Sequence, residues 1–167
     1  TTGSRNSAQG AYTLYFNTTG NYNTANGVQT LYDLGLNQTA GAFNIGTSYT
    51  IKTIGTTDFT LIGAASNTVG VTFTATGVGT GTGTATPNGV NNNTALGYNT
   101  GRGIIYGTGN TILGANVINL AAGLTNNIIL ANSTGAIKAQ NDGTNWNFTG
   151  NVGIGTASPQ ATLHAVV

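Results

Sequence analysis

The chain carries almost no charge, and several residue types are missing. Its 167 residues include 4 Lys or Arg and 3 Asp, with no Glu, no Cys and no Met. Without cysteine there is no disulfide framework and no thiolate chemistry. Because even an initiator Met is lacking, the chain is expected to be a processed form or a portion of a longer protein. No apolar run approaches the length of a membrane-spanning helix, so membrane insertion is not expected.

The scarcity of basic residues also restricts the partners. Phosphate contacts require clustered Lys and Arg, whereas Arg5, Lys52, Arg102 and Lys138 are scattered, so no nucleic-acid partner is expected. Few exposed charges also leave strand edges without their usual protection against sheet-to-sheet association. A closed homo-oligomer in which the chains cover these edges is the expected solution.

Glycine, asparagine, threonine and β-branched residues take the place of the missing types. The chain has 27 Gly and is 38% apolar, with abundant Thr, Val and Ile. These residues form helices poorly and suit turns and pleated surfaces. The composition therefore predicts an all-β protein.

A five-residue motif recurs at intervals of 17 residues. It occupies the ranges Asn6–Gly10, Asn23–Gly27, Asn93–Gly97, Asn110–Gly114 and Asn127–Ala131. A unit of this length cannot close a core around itself, so successive copies, here called rungs, must stack on one another. The repeat predicts a parallel β-roll, or solenoid, whose function lies in an extended surface.

Positions within the motif predict which side chains face the core. The third and fifth positions are small or apolar and are expected to face inward: Ala8, Ala25, Ala95, Ile112 and Ile129, then Gly10, Gly27, Gly97, Gly114 and Ala131. The fourth position points to the other side by period-two alternation, and it changes from Gln9 and Asn26 to Leu96, Leu113 and Leu130. Stacked leucines are expected to press against neighbouring subunits. The asparagine at the first position suits a rung corner and can form a ladder.

Four segments are predicted along the chain. Residues 1–46 form N-terminal roll repeats, 47–91 an inserted β-hairpin or meander, 92–135 C-terminal roll repeats, and 136–167 a hairpin cap leading to a further C-terminal element. Within the insert, strands are expected at 48–55, 58–63 and 71–77, followed by a Gly-Thr run that is either a flexible return or an edge strand. The turn at 141–144 predicts a hairpin, with Trp146 packed in the cap.

Two stretches resemble known families. Asn17–Gly27 and Asn93–Tyr98 resemble the Asn-Thr-Thr-Gly and Asn-Thr-Ala-Ile-Gly-Tyr repeats of long-tailed bacteriophage fibres, which are similar to the head repeats of trimeric autotransporter adhesins. The stretch 150–166 is similar to the sequence that commonly precedes the intramolecular chaperone domain of phage tail fibres and tailspikes. This resemblance implies a left-handed parallel β-roll assembled as a homotrimer on a virion. Gln9 and Asn26 depart from the apolar residue that is usual at their position in these repeats.

Catalytic and metal sites receive little support from the sequence. Glycoside hydrolysis normally needs two close carboxylates. Here Asp33 follows a rung strand, Asp58 begins a strand of the insert and Asp142 lies in the hairpin turn, so each is interpreted as a turn former. Three copies of His164 on a trimer axis could bind an ion, but no second ligand type accompanies it, which favours a surface or packing role. No enzyme activity and no cofactor are expected.

Tyrosine is the remaining residue type with binding potential. Tyr12, Tyr15, Tyr22, Tyr32, Tyr98 and Tyr106 could stack against sugar rings, although the repeat period of Tyr15 and Tyr32 favours stacking between them.

These observations predict a structural segment of a phage tail fibre or another virion appendage. Its expected partners are itself and other virion proteins, with a host-surface glycan or protein as a further partner in attachment. The alternatives are an extracellular or cell-surface adhesive filament and a capsid decoration protein.

Overall fold

The computed structural model describes residues 3–165, which form thirteen β-strands and one short 3-10 helix. The strands are β1 Ser7–Gln9, β2 Thr24–Asn26, β3 Gln38–Thr39, β4 Ser48–Thr53, β5 Thr72–Thr74, β6 Thr84–Pro87, β7 Thr94–Leu96, β8 Thr111–Leu113, β9 Ile128–Ala131, β10 Ile137–Asn141, β11 Trp146–Phe148, β12 Val152–Ile154 and β13 Leu163–Ala165. The 3-10 helix covers Phe59–Ile62. No α-helix occurs in residues 3–165, and none of the helical structure there is long and apolar enough to cross a membrane.

The repeat motif forms the main sheet, whose strand order is β1-β2-β7-β8-β9-β10-β11. The first five strands pair in parallel and in register, so that Ala25 lies between Ala8 and Ala95, and Ile112 lies between Ala95 and Ile129. Strand β10 then pairs antiparallel with both β9 and β11. The all-β class and the solenoid-like stacking of rungs are therefore confirmed.

Equivalent positions of successive rungs fill the core of the roll. Its buried members are Leu14, Ala25, Leu31, Leu34, Val90, Ala95, Ile104, Ile112, Val117 and Ile129. Because each strand is only three or four residues long in β1, β2, β7, β8 and β9, a rung offers one inward strand side chain and must draw the rest from its turns. The core thus forms only when rungs stack.

A second sheet, ordered β3-β6-β4-β5, is formed by the chain between β2 and β7. All its strand pairs are antiparallel. Its core is aromatic, with Phe43, Tyr49, Phe59 and Phe73 packed at ring-centroid distances of 5.0 to 6.0 Å. Burial raises the pKa of the Tyr49 hydroxyl, which accepts a hydrogen bond from the Asn44 backbone N–H at 3.0 Å. This segment therefore has a core separate from that of the roll.

Three details of the second sheet differ from the expectations. The sheet begins at Gln38, earlier than the predicted boundary at 47, because β3 pairs with β6. The strand predicted at 58–63 is the 3-10 helix, and Asp58 caps it by accepting a hydrogen bond from the Thr60 backbone N–H at 3.0 Å. The end of the Gly-Thr run is β6, which lies between β3 and β4 and is therefore not an edge strand.

The chain returns to the roll before residue 92. The Val90 side chain is buried in the roll core, and its carbonyl accepts a hydrogen bond from Asn23 Nδ2 at 2.8 Å. The Asn91 side chain accepts one from the Asn21 backbone N–H at 2.7 Å. Both residues belong to the roll by their contacts.

Strands β10 and β11 form the predicted hairpin after the last parallel rung. In its turn, Asp142 Oδ1 accepts hydrogen bonds from the backbone N–H groups of Thr144 and Asn145 at 2.9 and 2.7 Å. Strands β12 and β13 then pair in parallel as a separate small sheet. His164 lies in β13, and residues 1–2 and 166–167 of the predicted terminal segments lie outside the described residues.

Candidate interaction surfaces

A ladder of buried asparagine side chains joins the rungs at the first motif position. Asn23, Asn93, Asn110 and Asn127 are buried, and Asn6 begins the series. Asn93 donates from its backbone N–H and its Nδ2 to Asn23 Oδ1, at 3.0 and 3.1 Å. Asn110 repeats both bonds to Asn93 Oδ1, at 3.2 and 2.9 Å. We call the series Asn6, Asn23, Asn93, Asn110 and Asn127 the asparagine ladder. Its hydrogen bonds hold successive rungs in one register.

The second bond of each amide reaches a turn carbonyl. Asn93 Nδ2 also donates to the Gly107 carbonyl at 3.1 Å, and Asn110 Nδ2 donates to the Leu124 carbonyl at 2.6 Å. Each side chain therefore closes its own rung and fixes the adjacent one. These roles use up the amide groups, so the ladder is not available to an external ligand.

Glycine at the fifth position is a rung corner. Gly27, Gly97 and Gly114 have φ of 130°, 136° and 132°. A Cβ on Gly97 would lie 2.2 Å from the Gly114 carbonyl oxygen, so the rungs approach too closely for a side chain. Thr30 and Thr100 donate to the corner carbonyls of Gly97 and Gly114. At these fifth-position glycines, therefore, the backbones of adjacent rungs contact each other directly, and no side chain enters the core there.

The predicted rung positions lie at equivalent places in the stack. At the third position, Ala25, Ala95, Ile112 and Ile129 are buried, whereas Ala8 is exposed in the first described rung. At the fifth, Gly10 is exposed and Gly27, Gly97, Gly114 and Ala131 are partly buried.

The fourth motif position forms an exposed row whose polarity changes along the roll. In the first two rungs, Asn26 Nδ2 donates to Gln9 Oε1 at 3.0 Å. In the next three, Leu96, Leu113 and Leu130 are 50%, 39% and 39% exposed. Ile128, at the second position of the last parallel rung, is exposed beside them. We call Leu96, Leu113 and Leu130 the leucine ladder. Its members pair in register on one face, which makes a continuous apolar strip.

An aromatic and charged column lies beyond the glycine corner. Tyr15 stacks on Tyr32 with ring centroids 5.1 Å apart and an interplanar angle of 6°, as the period predicted. The Arg102 guanidinium covers the Tyr32 ring at 4.9 Å. Phe16 meets both tyrosines edge-on. We call Tyr15, Tyr32 and Arg102 the stacked column.

Arg102 also forms the one ion pair among residues 3–165, with Asp33. Asp33 Oδ2 accepts hydrogen bonds from Arg102 Nε at 3.3 Å and from the Gly103 backbone N–H at 3.0 Å. Beside this pair is an open cleft of about 260 Å³ lined by Asp33, Asn99, Arg102, Gly103, Ile118 and Asn119. We call it the Arg102 cleft. Asp33 was predicted to be a turn former, and its ion pair with Arg102 was not predicted.

The remaining candidate residues have other surroundings. Asp142 is fully exposed, and hydrogen bonds from the backbone N–H groups of Asn145 and Thr144 lower its pKa. Trp146 was expected to pack in the cap, but it is 49% exposed and stacks on Phe148, because β11 is the edge strand of the sheet and nothing in the described residues covers its side chains. Tyr22 is exposed and interacts with the Arg5 guanidinium. No cluster of three or more His, Cys, Asp or Glu occurs in the described residues.

No protein family, curated protein or solved structure matches this chain. Its own surfaces therefore supply the functional argument, and two of them stand out: the leucine ladder and the Arg102 cleft with its stacked column.

Proposed function

We propose that the chain is a structural segment of a trimeric fibre, a phage tail fibre or another virion appendage, that contributes to host-surface attachment. The three copies are left-handed β-rolls packed side by side, and each carries the segment 38–87 as an insertion that projects from its roll. The leucine ladder is the observation that carries this proposal.

An exposed strip of leucine side chains is typical of a protein interface. A strip of three in-register leucines costs free energy in water, and because each is only 39% to 50% exposed, covering what remains contributes about 1 kcal/mol per side chain. A second and a third copy of the same chain bring identical strips, which meet on a threefold axis in a closed assembly. Association also accounts for the change in polarity along the fourth-position row. Its polar members, Gln9 and Asn26, lie in the first two rungs, where the neighbouring rolls would be less tightly packed.

The rest of the molecule suits a mechanical and attaching role. Stacked rungs form an elongated body whose parallel pairing and asparagine ladder are continuous from Asn6 to Asn127. Asp33, Asp58 and Asp142 are engaged in an ion pair, a helix cap and a hairpin turn. These roles support binding and structure rather than reaction.

The oligomeric state of a leucine variant tests the assembly. Leu113→Asn places in the middle rung of the leucine ladder the residue that the chain already uses at Asn26, so the roll should fold while the assembly is lost. Light scattering after size exclusion should give three chains for the wild type and one for the variant. Leu61→Asn is the matched control, since Leu61 is 79% exposed and lies in the 3-10 helix of the second sheet. A wild-type monomer, or an equal effect of both variants, would contradict the proposal.

The position of the chain in its native assembly tests the fibre itself. Electron cryo-microscopy of the native particle should place three chains around an axis on a virion appendage. An open-ended polymer without a virion would favour the adhesive filament instead, and a location on the capsid shell would favour a decoration protein.

A further inference from the structure

We infer that the Arg102 cleft and the adjoining stacked column form a binding site for a short neutral oligosaccharide. The inference rests on the proposed attachment function, for which it supplies a ligand class and a location. It stands on three observations: exposed aromatic rings, unpaired polar groups in a cleft, and a charged pair that neutralises itself.

The first observation is the arrangement of rings. Tyr12 and Tyr15 are 59% and 55% exposed and lie edge to face, with ring centroids 5.8 Å apart. The Tyr15 ring stacks parallel to the Tyr32 ring, and the Phe16 ring packs perpendicular to both. These rings are rigid and amphipathic, so a sugar that lies along the roll can pack its apolar C–H groups against their exposed edges with little loss of conformational entropy.

The second observation is the set of polar groups that the protein leaves unpaired. Within residues 3–165, Asp33 uses only Oδ2 in hydrogen bonds, and Arg102 uses Nε and Nη1. Asn119 makes no side-chain hydrogen bond there and is exposed at the cleft. Asp33 Oδ1, Arg102 Nη2 and the Asn119 amide therefore offer acceptors and donors side by side, as vicinal sugar hydroxyls require.

The third observation concerns charge. The ion pair between Arg102 and Asp33 leaves the cleft without net charge, so it does not select an anion or a cation. Hydrogen bonds to ionised groups are nevertheless stronger than those between neutral groups. A neutral, hydroxyl-rich ligand is therefore the chemistry that best fits.

Geometry also allows more than one sugar unit to bind. The stacked column spans two intervals, 5.1 Å between the tyrosine rings and 4.9 Å from Tyr32 to the Arg102 guanidinium. A short oligosaccharide lying along the roll can reach Tyr15 at one end and Asn119 at the other.

The site is separate from the proposed trimer contact. Within a rung, the chain turns at Gly97 between Leu96 of the leucine ladder and Asn99 of the cleft. Assembly through the leucines therefore leaves the cleft outside that face, and one trimer presents three copies of it. Multivalent attachment would then strengthen weak single-site binding.

An oligosaccharide array tests the inference, with the assembled wild-type protein as the probe. The array carries short neutral oligosaccharides built from hexoses and N-acetylhexosamines, and calorimetry with the best binder in solution then gives its Kd. Asn119→Gly removes the free amide while keeping the positive φ of 58° at that position. Tyr15→Ala removes the exposed ring. Each should raise the Kd about tenfold, as expected for the loss of one good polar or stacking contact.

Tyr98→Ala is the matched control, because Tyr98 is 53% exposed and is not part of the stacked column or the cleft. It should leave the Kd unchanged. The inference is overturned if neither site variant weakens binding, or if Tyr98→Ala weakens it equally. A wild-type trimer that binds no oligosaccharide on the array overturns this inference alone, whereas a wild-type monomer overturns the proposed function.

Discussion

At the scale of single residues, the asparagine ladder explains how short strands hold one register. A three-residue strand forms few hydrogen bonds of its own, and a slip of one residue would turn every side chain to the opposite face. Each ladder amide donates to the previous rung and accepts from the next. Because these groups are buried, a misaligned rung would leave them without partners, at a cost of about 1–3 kcal/mol for each group.

Asn93→Ala should therefore destabilise the protein strongly. The change removes Nδ2 bonds to Asn23 Oδ1 and to the Gly107 carbonyl, and it leaves the Asn110 backbone N–H without an acceptor. We expect a loss of about 3 kcal/mol in the free energy of unfolding. Chemical denaturation at a fixed protein concentration measures it. Asn26→Ala, an exposed position in a neighbouring rung, is the control and should change stability by less than about 0.5 kcal/mol.

The repeat period reveals some of these residues and hides others. The asparagine that recurs at the first motif position predicted the ladder. The stack of Tyr15 on Tyr32 was predicted in the same way, because one repeat period separates the two residues. The ion pair between Asp33 and Arg102 was missed because 69 residues separate the partners. Aligning the rungs by their first asparagine would have placed Arg102 directly above Tyr32. The residues of the second sheet interrupt the 17-residue period between β2 and β7, so this alignment is not apparent from a fixed interval.

At the scale of elements, the second sheet shows where local pattern fails. Strand β3 has only two residues and therefore shows no alternation of polar and apolar side chains. Nothing in these residues predicts that the second sheet begins at 38 rather than at 47. Its pairing with β6 depends on residues far along the chain. The segment Phe59–Ile62 has a strand-like composition, but the Asp58 cap and the left-handed Gly63 allow the backbone to close a 3-10 turn instead.

Two deletions distinguish the observed boundary from the predicted one. Removal of 38–87, with Asn37 joined to Asn88, should leave the roll folded. These two residues already approach each other, since Thr86 bonds to the Asn37 side chain and Asn88 follows β6 directly. Removal of 47–91 should prevent folding, because it takes Val90 out of the roll core and leaves β3 without a partner.

Circular dichroism and thermal unfolding report whether each deletion variant is folded. A cooperative transition for the 38–87 deletion, with none for the 47–91 deletion, is the expected pair of results. If neither variant folds, the second sheet is required for the roll and cannot be an insertion into it.

At the scale of the whole molecule, the roll is close to one-dimensional. Adjacent rungs are joined by the asparagine ladder, the strand pairing and the core column. Stability should then be nearly a sum of rung terms and interface terms. The sequence predicted this architecture because its period is visible in the motif, whereas burial of the leucine ladder depends on the assembly that we propose.

Duplication of one rung tests this view of the molecule. Repeating residues 110–126 adds one full period, so the copied Asn110 meets Asn127 and Ile112 meets Ile129 as the original rung does. We expect a folded protein whose midpoint of thermal unfolding is equal or higher, since the added interface offsets the ordering entropy. Repeating only 110–124 adds nearly the same length of chain but breaks the period, which puts the asparagine ladder and the glycine corners out of register. That variant should unfold at a lower temperature or fail to fold. Equal stability of the two variants would mean that stacking does not depend on the 17-residue register.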